Sequence, residues 1–403
     1  MRELAAPAPG RCACAAGRSR GGDAVPQDGP PGPPAGPGAS MLSAPQRIAH
    51  LIVGGGLAGL YAAYRLEQQG HRDTVLLEAR PALGGRILSE PVDGLPERLD
   101  LGPTWYWPDL QWRLDQLVRA LGLAPFEQHE RGDMLLERTP HAPPMRTPAY
   151  LSAPTGLRLP GGMRSLTDAL RARLGCTRIL TGHSVQGLRR EDAGVTVAAL
   201  DAEGRTLHWR AEKVLLALPP RLAMARLDFA PALPDALARA WRDTPTWMAP
   251  HAKYVAVYAR PFWREAGLSG EARSACGPLG EIHDASGPGG AAALFGFVGL
   301  PAATRQRLGE DALRLHCRAQ LGRIFGPPAA EPLQEFWKDW AQDPLTAVPQ
   351  DLQAPAGHHA AAPPQQPAEG PWQGRLAGIG SEWSPQFPGY LAGAVEAVER
   401  ACG

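Results

Sequence analysis

Ile52-Val53-Gly54-Gly55-Gly56-Leu57-Ala58-Gly59-Leu60 is the stretch that decides the fold, and Glu78, nineteen residues beyond Gly59 at the end of Thr74-Val75-Leu76-Leu77, completes it. The apolar run Leu51, Ile52 and Val53 reads as a buried strand. The glycines that follow permit a tight turn and let backbone N–H groups approach a pyrophosphate at a helix N-terminus. From Leu57 onward, apolar Leu60, Tyr61, Tyr64 and Leu66 alternate with small Ala58, Ala62 and Ala63, a helix able to lie close to a sheet until Gly70 stops it. The second strand delivers a carboxylate that suits ribose hydroxyls and repels a 2′-phosphate, which disfavours NADP. A lone glycine fingerprint is also what a structural turn looks like. Strand, turn, helix, strand and acid in this order read as a dinucleotide site.

Glu78 is followed by Ala79-Arg80-Pro81-Ala82-Leu83-Gly84-Gly85-Arg86, a second Gly-Gly pair that nicotinamide-binding domains do not require. With Leu-Glu-Ala-Arg-x-x-x-Gly-Gly-Arg in place, the chain resembles the FAD-dependent amine oxidase family, which holds monoamine, polyamine and L-amino acid oxidases. The resemblance implies an α/β fold in which a Rossmann-type, GR2-like FAD-binding domain is interleaved with an α+β substrate domain. It also implies cofactor contacts at Gly54, Gly56, Leu57, Ala58, Gly59, Glu78, Ala79, Arg80, Gly85 and Arg86. Arginine there is physically apt, because a diphosphate takes both charge and a planar fork of donors.

A chain of 403 residues, 44% of them hydrophobic, can bury a large core and suggests two domains. A net charge of +1 with scattered arginines gives no electrostatic argument for nucleic acid or an anionic membrane, and neither is expected as a partner. No apolar run approaches the ~20 residues of a membrane span. The first residues lack a signal-peptide core, so a cytoplasmic location is expected. Residues 1–45 are expected as a disordered tail, being dominated by Gly, Pro, Ala and Arg, and Met41 just before the first strand suggests that translation starts there, with a transit peptide as an alternative. The six cysteines, including Cys12 and Cys14 in the tail, show no Cys-x-x-Cys spacing, and no metal site is expected. The same holds for the neighbouring His358 and His359, set in the low-complexity stretch from Gln350 to Gly370 that reads as a surface loop.

Beyond the nucleotide unit, Arg98-Leu99-Asp100-Leu101-Gly102-Pro103-Thr104-Trp105-Tyr106-Trp107-Pro108 is an aromatic-rich turn that leads to a helix from Asp109 to Leu121. The resemblance places Gly102 and Pro103 beside the flavin; Trp105 and Trp107 read equally well as core. Residues 139–160 are proline-rich and read as a crossing between domains, and Leu159 to Leu166 opens a further helix. Short strands are expected at Ile179–Leu180, Val185–Leu188, Val195–Ala198, Leu207–Trp209 and Val214–Leu218, a meander returning to the nucleotide domain. In the family, the residue matching Val185 meets the adenine through its backbone; a packing residue would look the same. Later elements include a strand at Leu294–Val298 and a helix at Asp311–Leu321. The expected division is a discontinuous FAD-binding domain at 46–103, 151–222 and 370–403, and a substrate domain at 104–150 and 223–369.

Lysine is scarce: Lys213, Lys253 and Lys338 are the only three. Lys253 begins Lys253-Tyr254-Val255-Ala256-Val257-Tyr258-Ala259, a strand in which alternation puts Lys253, Val255, Val257 and Ala259 on one face. The block resembles the family's lysine strand, whose lysine holds a water against flavin N5. A buried ammonium can shift its pKa, which a guanidinium does far less readily. The bland reading is a strand-end lysine snorkelling to solvent. At the C-terminal end, Gly378-Ile379-Gly380-Ser381-Glu382-Trp383 and Gly389-Tyr390-Leu391-Ala392-Gly393-Ala394 form the third block of resemblance. It implies cofactor roles for Gly380, Glu382, Tyr390 and Leu391, with a helix from Leu391 aiming its N-terminal amides at the flavin edge that becomes negative on reduction.

The resemblance makes Tyr390 an aromatic neighbour of the substrate amine and Trp340 the tryptophan near the flavin, so Lys253, Tyr390 and Trp340 are the expected catalytic residues. Counting without gaps from Trp340, the second cage aromatic falls at Gln350 and the cysteine that anchors flavin covalently in monoamine oxidases falls at Pro349. No cysteine occurs between Cys317 and Cys402. FAD is therefore expected to be held non-covalently, beside half an aromatic cage. The expected activity is oxidation of an amine C–N bond by hydride transfer to flavin N5, giving an imine that water hydrolyses and, with oxygen as acceptor, hydrogen peroxide. Two alternatives stay open: a flavin C–C desaturase or dehydrogenase like phytoene desaturases or protoporphyrinogen oxidases, against which Lys253 argues, and a non-catalytic FAD-binding protein.

Overall fold

Gln46–Val53 runs into the glycine turn and pairs in parallel with Thr74–Leu77 on one side and with Thr206–Leu216 on the other. The computed structural model describes residues 46–149, 151–352 and 361–403. The expected tail at 1–45, with Cys12 and Cys14, and the His358–His359 pair lie outside the described residues. The first sheet has the strand order Asp228–Ala230, Ser184–Glu191, Gly194–Leu200, Thr206–Leu216, Gln46–Val53, Thr74–Leu77 and Arg178–Leu180, and Leu376–Gly378 adds to Thr206–Leu216 in parallel. Alternate side chains leave on opposite faces. Ile52, Leu76, Leu215 and Ala377 therefore pack under helices Leu57–Gln68, Arg164–Arg173 and Leu391–Cys402. Leu51, Val53, Val75, Leu77 and Val214 pack on the other face against Trp209, Trp241, Trp372 and Trp383. Covering both faces is what allows the central strands to be continuously apolar.

The second sheet runs Gln334–Asp339, Ala252–Tyr258, Ala292–Val298, Leu279–Asp284, Leu268–Ser274, Asp133–Glu137 and Met145–Pro148. Helix Glu310–Phe325 covers one face through Cys317, Leu321, Ile324 and Phe325, which meet Tyr254, Ala256 and Tyr258. The other face, with Val255, Val257, Ala293 and Phe295, packs on Val92, Leu99 and Leu101 from the segment that follows the second glycine pair. The architecture is thus α/β, a Rossmann-type sheet interleaved with an α+β region. No described helix is long and apolar enough to cross a membrane.

Two expectations need correction, and one alternative is set aside. The strands expected at Leu207–Trp209 and Val214–Leu218 are one strand, Thr206–Leu216, because its first half completes the antiparallel meander while its second half pairs in parallel with both Gln46–Val53 and Leu376–Gly378. The flanks of the low-complexity stretch are not simply a surface loop. Buried Asp351 accepts from Arg221 Nη1 at 2.7 Å and from the Thr246 amide at 3.0 Å, and Gln365 Nε2 donates to the Ala397 carbonyl at 2.9 Å. Lys253 does not snorkel: it is 2% exposed, on a strand buried along its whole length. The strand Asp228–Ala230, beyond the boundary expected at residue 222, extends the nucleotide-side sheet.

Candidate active site

The turn between Val53 and Leu57 is shaped by what it cannot contain. Gly54 has φ +106°, and a Cβ there would lie 2.7 Å from the Ala217 carbonyl oxygen. Gly59, one turn into the helix, would bring a Cβ to 1.9 Å from the Gly54 carbonyl oxygen, so only glycine lets helix and turn approach this closely. Gly56 forms a bridge with Gly84, which brings the two glycine pairs together across the mouth of a cavity. The opening N–H groups of any helix lack intrahelical acceptors, and those of the helix beginning at Leu57 face this opening. Glu78 is 6% exposed and accepts hydrogen bonds from the Gly55 amide at 2.6 Å and the Arg80 amide at 2.8 Å.

The cavity, about 430 Å³, extends from Glu78 and Val185 to Lys253 and Tyr390. Gly54, Gly56, Leu57, Ala58, Glu78, Ala79, Arg80, Gly85, Arg86, Gly102, Pro103, Val185, Lys253, Trp340, Gly380, Tyr390 and Leu391 all line it. Gly59 and Glu382 do not. Gly59 acts through packing, and Glu382 lies behind Arg86, accepting from its Nη1 at 2.5 Å and Nη2 at 3.0 Å. Arg80 Nη2 likewise donates to Asp343 at 2.8 Å and to Thr346 Oγ1 at 3.3 Å. Burial pushes the Asp343 carboxyl up, but hydrogen bonds from Arg80 and Lys338 outweigh it and hold the group below its usual range. Two of the three cavity arginines are therefore oriented by carboxylates, while Arg226 donates to the Pro344 carbonyl at 3.0 Å.

Lys253 comes from Ala252–Tyr258, the strand next to the edge of the second sheet, and lines the same cavity. Its Nζ donates to Thr104 Oγ1 at 2.5 Å and to the Gly102 carbonyl at 3.3 Å, and sits 3.9 Å from the centroid of the Phe295 ring. Desolvation lowers its pKa to about 7; Asp100 opposes the shift and Arg158 adds to it. Asp100 is itself fully buried, accepting from Ser89 Oγ and from the Met163 amide at 2.8 Å, and burial raises its pKa. Trp340 is fixed by donation from Nε1 to the Leu101 carbonyl at 3.0 Å, with Lys338 Nζ 4.6 Å from its ring centroid.

The sequence reading missed the neighbours of these residues. Thr104 holds the lysine, and Trp247 stacks beside Tyr390, with centroids 6.1 Å apart and planes at 29°. Its signal, a tryptophan in the proline-flanked stretch Thr244-Pro245-Thr246-Trp247-Met248-Ala249-Pro250 just before the lysine strand, is visible only afterwards. Trp105 and Trp107 line the cavity, and no cysteine does among the described residues. The arrangement fits a flavin dinucleotide: a glycine cradle and helix N-terminus for the diphosphate, a buried carboxylate for the ribose, and a second helix N-terminus at Leu391 beside a buried lysine.

Residues 149–403 match the family described as flavin containing amine oxidoreductase, and residues 52–121 match the NAD(P)-binding Rossmann-like domain. A putative flavin-containing monoamine oxidase, AofH, of Mycobacterium tuberculosis is 26% identical over 467 residues, covering 90% of this chain and 97% of that protein. Putrescine oxidase of Kocuria rosea is 24% identical over 409 residues, covering 73% and 82%. A structure of putrescine oxidase bound to putrescine superimposes with a TM-score of 0.73 at 21% identity, covering 89% of this chain and 99% of that one. Cyclohexylamine oxidase from Brevibacterium oxydans gives a TM-score of 0.71 at 19% identity, covering 88% and 98%. At such identities the structures speak for the fold alone.

Proposed function

This chain belongs to the flavin-containing amine oxidoreductase family and is an FAD-dependent enzyme of it, and from that premise we propose that it oxidises the C–N bond of a small amine with oxygen as the electron acceptor. When bound, FAD would supply the two-electron acceptor for a hydride from the amine α-carbon, with oxygen as the final acceptor and hydrogen peroxide as its product. The protein's part is placement and electrostatics. Segments 46–103, 151–222 and 370–403 would hold the cofactor, with Glu78 on the adenosine ribose, Arg80 and Arg86 along the diphosphate, and the backbone near Val185 at the adenine. Gly102, Pro103, Gly380 and Leu391 would border the ring system. No cysteine lines the cavity among the described residues, in keeping with a cofactor held non-covalently.

The observation that carries the reading is Lys253, a buried cation anchored on Thr104 and Gly102 at the cavity end opposite Glu78. Its Nζ can give up a proton near neutrality, so it can hold a water or shuttle a proton without leaving a permanent charge in the apolar wall. Tyr390 and Trp340 would orient the amine, which must be neutral to donate its lone pair. Anaerobic addition of amines to the purified yellow protein tests the reading. Bleaching, followed on air by one peroxide per recovered flavin, is the expected outcome; a flavin inert to every amine would overturn it.

A further inference from the structure

Around Lys253 the cavity lining is chiefly rings and a thioether, Trp105, Phe297, Trp247, Met248 and Tyr390, with His251 beside Trp247 at a ring separation of 6.1 Å. Glu78 is the one acidic side chain among the described residues lining the cavity, and both its oxygens are taken by backbone amides at the far end. On the face of the sheet that carries Phe297 and Lys253, Glu281 is engaged by Arg273 at 2.6 Å and by His283 at 2.8 Å. Burial alone would raise its pKa, but these partners hold its carboxyl below the usual range.

An ammonium carried into such a space would lose its hydration with no carboxylate among the described lining residues, other than the engaged Glu78, to receive it. A carboxylate tail would find Arg80 and Arg86 already paired with Asp343 and Glu382, and Arg226 turned to the Pro344 carbonyl. Two local features fix the wall. Gly389, with φ +84°, would place a Cβ 2.3 Å from Trp247 Cβ, so glycine alone allows the chain to pass this close beneath the indole. Met248, at φ 63°, is the only described residue other than glycine with a positive φ, a conformation that is retained where surrounding structure enforces it.

We infer that this enzyme selects monoamines whose tail is uncharged and apolar, against diamines and amino acids, and that Trp247 is the specificity-determining residue. The inference rests on the amine-oxidising reading above. Trp247 and Tyr390 form one aromatic surface along which the tail lies, and selection works chiefly by rejection, since the disfavoured substrate leaves a charge unpaired.

The test is anaerobic flavin reduction of the holoenzyme by matched pairs, hexylamine against 1,6-diaminohexane and phenethylamine against phenylalanine, at one pH and ionic strength. The neutral-tailed member should reduce the flavin with at least about a hundredfold higher second-order rate constant. A diamine or amino acid that reduces it as fast overturns the inference while leaving amine oxidation standing; no bleaching by any of the four overturns both. Trp247→Ala should raise the half-saturating hexylamine concentration about tenfold with the limiting reduction rate and the flavin spectrum nearly kept, and Trp247→Phe should recover most of the loss. Equal affinity for hexylamine in Trp247→Ala would remove the residue from the site.

Discussion

The two ends of the cavity are built from different parts of the chain's chemistry. At the nucleotide end, recognition falls to the backbone: Gly54, Gly56, Gly84 and Gly85 bring main chain to main chain, and the charged side chains there, Glu78 and Arg86, are tied to amides or to a neighbouring carboxylate. At the Lys253 end, recognition falls to side chains that converge from distant segments, Thr104, Trp247, Phe297, Trp340 and Tyr390. Backbone recognition tolerates few substitutions because a Cβ has nowhere to go. Side-chain recognition can be retuned one wall at a time.

The largest effect expected from breaking this contrast is Gly54→Ala. It places a Cβ 2.7 Å from a carbonyl oxygen at a φ that alanine adopts poorly. FAD titration of the apoprotein should show affinity down by about a hundredfold or more, the equivalent of ~3 kcal/mol of strain. Unchanged affinity would mean that the turn is not shaped by backbone contact.

Next comes Lys253→Met, which should retain FAD yet slow its reduction or reoxidation by about tenfold to a hundredfold. Stopped-flow traces across pH should also lose the inflection near neutrality that the lowered lysine pKa of about 7 gives the parent. Equal rates would take the lysine out of the chemistry.

The same variant sharpens the comparison through stability. The folded lysine pKa lies below the unfolded value of about 10.5, so over the window from about 7 to 10.5 the unfolded chain binds more protons and the parent gains stability as pH rises. Lys253→Met should lack that gain. Its melting temperature should exceed the parent's at pH 7 and converge with it toward pH 10.5. A variant less stable than the parent at pH 7 would mean that the bonds to Thr104 and Gly102 outweigh the desolvation.

The smallest effect belongs to Glu382→Gln, which keeps the shape behind Arg86 but removes its charged partner. Because the arginine side chain is 26% exposed, solvent screens part of the pair, and FAD affinity should change by no more than about tenfold. A loss as large as that from Gly54→Ala would show that the arginine's aim matters as much as the glycine cradle.

The same contrast explains what the sequence disclosed. Gly54, Gly59, Gly85 and Glu78 were legible because a positive φ, a close approach or an acid at a fixed distance leaves a residue-type signature along the chain. Lys253 was legible for its rarity within an apolar strand, but the choice between a buried and a snorkelling lysine needed the cover over its own face of the sheet, which the distant segment carrying Val92, Leu99 and Leu101 supplies. Trp247 was not legible as the ring beside Tyr390, since their pairing depends on how the chain passes at Gly389. Glu382 was found by its motif, yet its contact with Arg86 links residues nearly three hundred positions apart, which no local pattern encodes. Thr206–Leu216 read as two strands because its partners change along its length.

The visible spectrum of the freshly purified protein, before and after anaerobic addition of hexylamine, tests most directly the claim that both ends of this cavity close on one flavin. The account predicts oxidised-flavin bands that trichloroacetic acid releases as free FAD and that the amine bleaches. Protein that is colourless and takes up no added FAD would contradict it.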